Sequence, residues 1–446
     1  MITQEPNAKR LTHALIRTTM LFAMLAAFCA TSWAASEKVL YRFHGRDGAV
    51  PSSVIIGHDG ALYGTTTSGG QNLCTLGCGV VFRLAHGTNG KWHETVLHQF
   101  SGSDGWAPVG SLVGDKAGNL YGTAAYGGPN GCTGLGCGLA FELVQGRGGN
   151  WTYEVLHYFT GQQGDGIWPY AGLAFDPQGN LYGTTSAGGN YSACSNEGGC
   201  GVVFELTPNG KGNWAESIVY EFQGTDGGGS FAPVIFDSAG DLYGTTSYGG
   251  AHQSGTVFKL TPGQQGQWTE DVLHSFSYGT KDGDAPYNGV VFDASGNLYG
   301  TTPFGGMNGP QGWGTAFKLT PESGGKWGET ILHTFDRAKF GGGGLTSAPV
   351  LDKRGEFYGT AEWGGSYDCP DGGGLGCGVL FKLTPRAKGV WKETVLHSFG
   401  KGEDGAAPGG LVRNLAGHLF GTTGGGGYVG SSCSQDGCGV VFDVTP

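Results

Sequence analysis

The chain is 446 residues long, contains 91 glycines and 18 prolines, and has a formal charge of −11. A nucleic-acid partner needs a basic stripe to displace counterions, and this acidic chain has none, so its charge reads as solubility. Glycine at this level is typical of low-complexity chains, but here it recurs at fixed positions between runs of Val, Phe, Leu and Tyr, which argues for a packed core.

At the N-terminus, Lys9, Arg10 and Arg17 precede the apolar run from Met20 to Phe28, and Ser32-Trp33-Ala34 puts small residues at positions −3 and −1. This is the pattern of a secretory signal peptide, residues 1–34, with cleavage expected after Ala34. The run is too short to cross a bilayer and no second one follows. Phe28 before Cys29 is too large for a lipoprotein cleavage site. The mature chain carries a charge of −13. A secreted or periplasmic monomer is expected.

From residue 35 onward the chain repeats. Leu62-Tyr63-Gly64-Thr65-Thr66 returns at Tyr121, Tyr182, Tyr243, Tyr299, Tyr358 and, with Phe for Tyr, at Phe420, at spacings of 56 to 62 residues. A fixed period of this size marks one supersecondary unit per copy. In the third copy, Gly172 to Asp176 reads as a short strand a, and Asp176-Pro177-Gln178-Gly179-Asn180 as a turn. Strand b is Leu181 to Thr185, strand c Gly201 to Leu206 and strand d Trp214 to Phe222. Four short strands separated by turn signals make one antiparallel blade.

Seven copies predict an all-β fold, a seven-bladed β-propeller of four-stranded antiparallel blades forming a single domain over residues 35–446. The phase of the repeat supports a closed ring. A lone strand d, residues 37–43, precedes the first strand a, and the chain ends on a strand c, Gly439 to Val444, with no d after it. The N-terminal strand is therefore expected to complete the last blade, 407–446, which removes two exposed sheet edges.

The units spanning Val290 to Thr302 and Gly255 to Pro262 resemble the GloVer tandem repeats of bacterial exported proteins. The resemblance covers residues 37–446 and implies a propeller-like extracytoplasmic protein, with no reaction attached. Members often end in an anchoring segment. This sequence stops at Thr445-Pro446 without one, so a free protein is the expectation. Strands a and b also resemble NHL-type propeller repeats.

Ten cysteines fall into close pairs, Cys74/Cys78, Cys132/Cys137, Cys194/Cys200, Cys369/Cys377 and Cys433/Cys438, each in the loop between strands b and c. Repeats four and five lack both members, as bonded pairs would, and export permits oxidation. Two thiolates per loop without a local histidine pair make only half a zinc site, so disulfides are expected. Closing such short loops gains modestly, so these bonds read as loop staples and not as a source of global stability.

The d–a and b–c connections are long and share one face, so function is sought there. The d–a loops repeat Asp-Gly at Asp47, Asp104, Asp165, Asp226, Asp282 and Asp404, and the sixth blade has Gly341 to Gly344 instead. A ring of carboxylates would suit calcium, but the repetition favours a turn device. Strand d repeats His98, His157, His274, His333 and His397, with Tyr41 and Tyr220 in the other copies. One per blade, these are not expected to converge, and neither metal nor cofactor is expected. The strand-d tryptophans read as packing.

Immediately after strand b the copies diverge, with Tyr126, Tyr248, Phe304 and Trp363 at one position and Glu362 preceding the last. Loop tryptophans Trp106, Trp168 and Trp313 belong to the same face. Aromatic rings beside a carboxylate suit sugars, so Trp363 and Glu362 head the candidate site, and an extracellular glycan or protein is the expected partner. The alternatives are a glycan-cleaving enzyme, pairing Glu362 with Asp368 or Asp371, and a structural envelope protein. No catalytic motif such as Gly-x-Ser-x-Gly or His-Glu-x-x-His occurs.

Overall fold

The computed structural model describes residues 35–446 apart from 72–73, 130, 211, 280, 307–311, 337–340, 370–373, 402, 431–432 and 434–436. The expected signal peptide, and the candidate acid Asp371, lie outside the described residues. The strands form a seven-bladed β-propeller, each blade ordered a-b-c-d from the channel outward. In blade 3 these are Ala174–Phe175, Leu181–Thr184, Val202–Pro208 and Trp214–Glu221. Blade 7 takes a, b and c from Ala406–Arg413, Leu419–Gly425 and Val440–Thr445, and its strand d from the N-terminal Ser36–Arg42. Ser36 pairs with Thr445 and Arg42 with Val440, closing the ring.

Each residue of the repeated Leu-Tyr-Gly-Thr-Thr has a separate duty. Leu181 and Tyr182 are core residues. Gly183 faces the Phe204 ring of the adjacent strand c so closely that a Cβ would stand 2.5 Å from it. Thr184 Oγ1 donates to Ala232 O of the next blade at 3.1 Å, and Thr185 Oγ1 accepts the Val202 N–H at 3.1 Å, tying off the b–c loop. The a–b turn is held by Asp176, whose Oδ1 accepts the N–H groups of Gln178 and Asn180 at 2.9 and 2.8 Å.

Blades adhere through paired phenyl rings. The phenylalanine ending each strand d meets the strand-c phenylalanine of the following blade at 4.8 to 5.4 Å between centroids, from Phe43–Phe82 round to Phe399–Phe442. All fourteen rings are buried. Five strand-d tryptophans pack edge-on to the strand-b tyrosine of the preceding blade, as in Tyr182–Trp268 at 6.2 Å.

All five cysteine pairs are disulfides: Cys74–Cys78, Cys132–Cys137, Cys194–Cys200, Cys369–Cys377 and Cys433–Cys438. Both members of each pair sit in the loop before strand c, as expected, and the second one is also part of the core. Cys78, Cys137, Cys200, Cys377 and Cys438 are buried core residues, whereas their partners are partly exposed. Each buried cysteine stands just before strand c, and packs in one cluster with the phenylalanine that ends strand d of its own blade. The pairs are Cys78 with Phe100, Cys137 with Phe159, Cys200 with Phe222, Cys377 with Phe399 and Cys438 with Phe43. The physical reason is that a half-cystine is a small apolar group, which fills the gap beside the ring.

The same residues also join the blades. The second cysteine's carbonyl accepts an N–H from the next blade, with Ala107 to Cys78 O at 3.1 Å and Trp168 to Cys137 O at 2.8 Å. Cys200 O, Cys377 O and Cys438 O each accept at 2.9 Å, from Gly229, Ala407 and Val50. Ser254 and Trp313 fill that place in the cysteine-free blades. Each disulfide therefore fixes the edge on which the neighbouring d–a loop hangs. Among the described residues no helix is long and apolar enough to cross a membrane.

Candidate functional site

The d–a loops descend into the channel mouth on the face that also carries the b–c loops. There they enclose a cavity of about 610 Å³ lined by every blade. Ser52 and Ser53 contribute from blade 1, Ser111 from blade 2, Asn288 from blade 5 and Ser347 from blade 6, with the Gly409-Gly410 backbone from blade 7. On one side stand three aromatic residues, Tyr170, Phe231 and Tyr287, from blades 3, 4 and 5. Their rings follow one another at 5.3 and 5.2 Å, and the phenols of Tyr170 and Tyr126 are hydrogen-bonded. Trp106 continues this arc outward, 5.5 Å from Tyr126, and Trp168 flanks it at 6.4 Å.

Glu362, on strand b of blade 6, also lines the cavity. Its carboxylate has no ion pair or side-chain hydrogen bond among the described residues, and burial pushes its carboxyl above the ordinary value. Ser53 Oγ, in the same wall, is likewise buried with no partner. The mouth thus combines apolar ring surface, hydroxyls and one unengaged carboxylate, a donor set suited to a polyhydroxylated ligand with an apolar face.

The residues singled out by the sequence separate into distinct groups. Glu362 and Trp363 are consecutive in the strand Phe357–Trp363, so their side chains leave opposite faces of the blade. Trp363 packs edge-on to Trp313 at 5.4 Å and covers Gly344, while Trp313 covers Gly343. The four-glycine loop of blade 6 is thereby explained: a Cβ at Gly343 would stand 2.1 Å from the Trp313 ring. Tyr248 lies in the same way over Gly228 and Gly229, its hydroxyl donating to Gly199 O at 3.1 Å. Phe304 is 39% exposed and apart from the cavity. Trp106, Tyr126 and Trp168 join the aromatic arc. Asp368 is exposed and does not line the cavity, where Glu362 is the one acid among the described residues. Among the described residues no second carboxylate stands beside Glu362 there, as glycoside hydrolysis would need.

Tyr170, Phe231 and Tyr287 escaped the sequence reading, although a signal exists for two of them. The buried Leu173 and Val290 lie four positions after Pro169 and Pro286, but Val54 and Leu411 only three after Pro51 and Pro408. The blade 2 loop from Pro108 to the buried Leu112 has the same length with Val109 at that place, so the extra residue gives room for a ring without dictating one.

The Asp-Gly carboxylates do accept local backbone N–H groups, as Asp226 Oδ1 does from Gln223 at 2.8 Å. Each also faces the His or Tyr of the preceding strand d, with Tyr220 Oη donating to Asp226 at 2.6 Å and His397 Nε2 lying 3.0 Å from Asp404. The histidines remain apart from one another, but each has its own carboxylate.

Residues 26–198 match the Gloeobacter/Verrucomicrobia repeat, the family that the Leu-Tyr-Gly-Thr-Thr units resemble. No curated protein matches the chain. Among solved structures, a fungal alcohol oxidase of the AA5 family, determined in complex with copper, is 15% identical with a TM-score of 0.57, covering 93% of this chain and 77% of that one. PorZ, a surface component of the type-IX secretion system of Porphyromonas gingivalis, is 14% identical with a TM-score of 0.49, covering 91% of this chain. This chain spans about half, 47%, of the PorZ structure. A protein described as a putative gluconolactonase is 12% identical with a TM-score of 0.41, covering 92% of each chain. At these identities the likeness is one of fold, and the neighbours differ in function.

Proposed function

We propose that this chain, which carries the Gloeobacter/Verrucomicrobia repeat, is an exported binding module that takes a glycan in the mouth of its channel. The observation that carries the reading is Glu362, a partly buried carboxylate without a partner among the described residues, facing a cavity walled by Tyr170, Phe231 and Tyr287. Sugar C–H faces would lie on the rings while hydroxyls donate to the carboxylate and to Ser53. Five disulfides support export, and cleavage after Ala34 would release a chain whose first strand is the one that closes the ring. N-terminal sequencing of the mature protein should begin at or near Ala35, and a chain retaining Leu25 would contradict export by this route.

The direct test is a glycan array probed with the wild-type protein and with Glu362→Gln. Loss of a charge-assisted hydrogen bond should weaken binding of the best ligand by about 10- to 100-fold. An array without any binder, or one in which Glu362→Gln binds as wild type does, would remove this reading.

A further inference from the structure

The blade junctions hold a second constellation, unconnected with the channel mouth. The His or Tyr of one strand d and the Asp of the following loop are joined, in most junctions, by a glutamate from strand d of the next blade, the third residue after the turn in Trp-x-Glu. Where tyrosine occupies the first place its aspartate is satisfied, since Tyr41 and Tyr220 each donate to it at 2.6 Å, while Glu94 and Glu270 each keep a buried oxygen without a hydrogen-bond partner among the described residues. Between blades 1 and 2, Tyr153 replaces the glutamate and stacks on His98 at 3.9 Å. Between blades 5 and 6, Gly341 replaces the aspartate and His333 turns to Glu393 at 3.2 Å. His274 and His397 lie 3.2 and 3.0 Å from their aspartates, within hydrogen-bonding distance.

The junctions of blades 2 and 3 and of blades 4 and 5 each bring a histidine, an aspartate and a glutamate within 4.8 Å of one another; at the second His274 is within hydrogen-bonding distance of Asp282, and at the first the histidine is not so held. The N–H and Oγ1 of Thr160 both donate to Asp165 Oδ2 at 2.7 Å, which leaves Oδ1 to face His157. His157 Nε2 stands 3.7 Å from that oxygen, too far for a hydrogen bond. Glu216, arriving on the strand Trp214–Glu221, completes the set, and the three ligand atoms lie within 4.8 Å of one another. Among the described residues His157 Nε2, Asp165 Oδ1 and Glu216 Oε1 are all buried without a hydrogen-bond partner; the other junction glutamates share the orphan oxygen, but the set of three is particular to this junction. Three convergent buried atoms, each lacking a hydrogen-bond partner among the described residues, would be costly to leave so. Two ligands about 2.1 Å from a tetrahedral ion stand about 3.4 Å apart, close to the 3.7 Å between His157 Nε2 and Asp165 Oδ1.

We propose that His157, Asp165 and Glu216 bind a divalent cation of the zinc class, which would clamp blade 2 to blade 3. One imidazole with two carboxylates favours such an ion over calcium, which takes six or more oxygen ligands. The sequence expectation of no metal rested on histidines, one per blade, that do not converge on one another, and it did not pair a histidine with acids of its own junction. Here Glu216 is supplied by the following blade.

The test is calorimetric titration of chelator-treated protein with zinc chloride, alongside thermal melts with and without zinc. Near one equivalent should bind and raise the melting temperature. His157→Tyr installs the residue that two other junctions carry, so the fold should persist while zinc affinity falls at least 100-fold. Glu216→Gln should weaken binding similarly, because an amide is a poor replacement for a carboxylate ligand. Absence of zinc binding to the wild-type protein, or binding that survives His157→Tyr unchanged, would overturn the proposal.

Discussion

Gly183 shows why a motif repeated seven times need not be a binding code. Its missing side chain admits the Phe204 ring, and the same contact recurs at Gly64, Gly244, Gly300 and Gly359 against Phe82, Phe258, Phe317 and Phe381. Gly183→Ala should therefore destabilise the protein by about 1–3 kcal/mol in urea unfolding, the usual cost of forcing a methyl group into a packed core. Phe204→Ala, which empties the same site, should cost about 3–5 kcal/mol. The sequence carried the position of these residues but not their duties, because period and strand assignment say nothing of which ring a glycine faces. The same limit applied to Glu362 and Trp363. Their adjacency suggested one site, yet alternation along a strand sends them to opposite faces, one to the cavity and the other to an indole pair over Gly343 and Gly344.

Among the elements, the blade was readable strand by strand, since each strand is short, apolar and bounded by turn residues. The joints between blades were less so, because they unite residues some fifty positions apart. Two of these joints give a pH dependence. Burial, with Asp47 nearby, raises the Glu94 carboxyl to about 8, and burial with Asp226 and Asp271 raises Glu270 to about 8. The folded chain then holds protons that the unfolded chain releases above the ordinary value of 4.5. Their contribution is complete below about 4.5 and is lost as the pH rises through 8. The melting temperature should fall between pH 5 and pH 9, and the double variant Glu94→Gln/Glu270→Gln should melt a few degrees higher than wild type at pH 9 with little change at pH 5. A wild-type slope retained in the variant would refute the assignment.

The disulfide loops belong to the same scale. Pairing was legible from cysteine spacing, but the burial of Cys78, Cys377 and Cys438 was not, since it depends on a phenylalanine about twenty residues further on or, for Cys438, at the other end of the chain. Cys194→Ser/Cys200→Ser should cost about 2 kcal/mol, as closing so short a loop would. Because Cys200 O accepts the Gly229 N–H, hydrogen exchange should quicken at Gly229 while the core strands stay protected.

For the whole molecule, closure by Ser36–Arg42 is what makes seven blades a ring, and the orphan strand at each end made this legible before any coordinates. Removing residues 36–42 should leave the Val440–Thr445 edge unpaired and the Phe43–Phe82 contact without its support, giving aggregation at micromolar concentration. A synthetic peptide of that strand should restore solubility. What the ring creates at its centre was hardly visible in the sequence, since the cavity draws a few residues from each of seven separated blades. Only the lengthened loops bearing Tyr170 and Tyr287 hinted at it. The most direct measurement is a crystal structure with the best-binding glycan. A sugar ring resting on Tyr170, Phe231 or Tyr287, with a hydroxyl within hydrogen-bonding distance of Glu362, is the predicted result. A ligand seated on Trp313 and Trp363 instead, or on the outer face of a blade, would contradict the account.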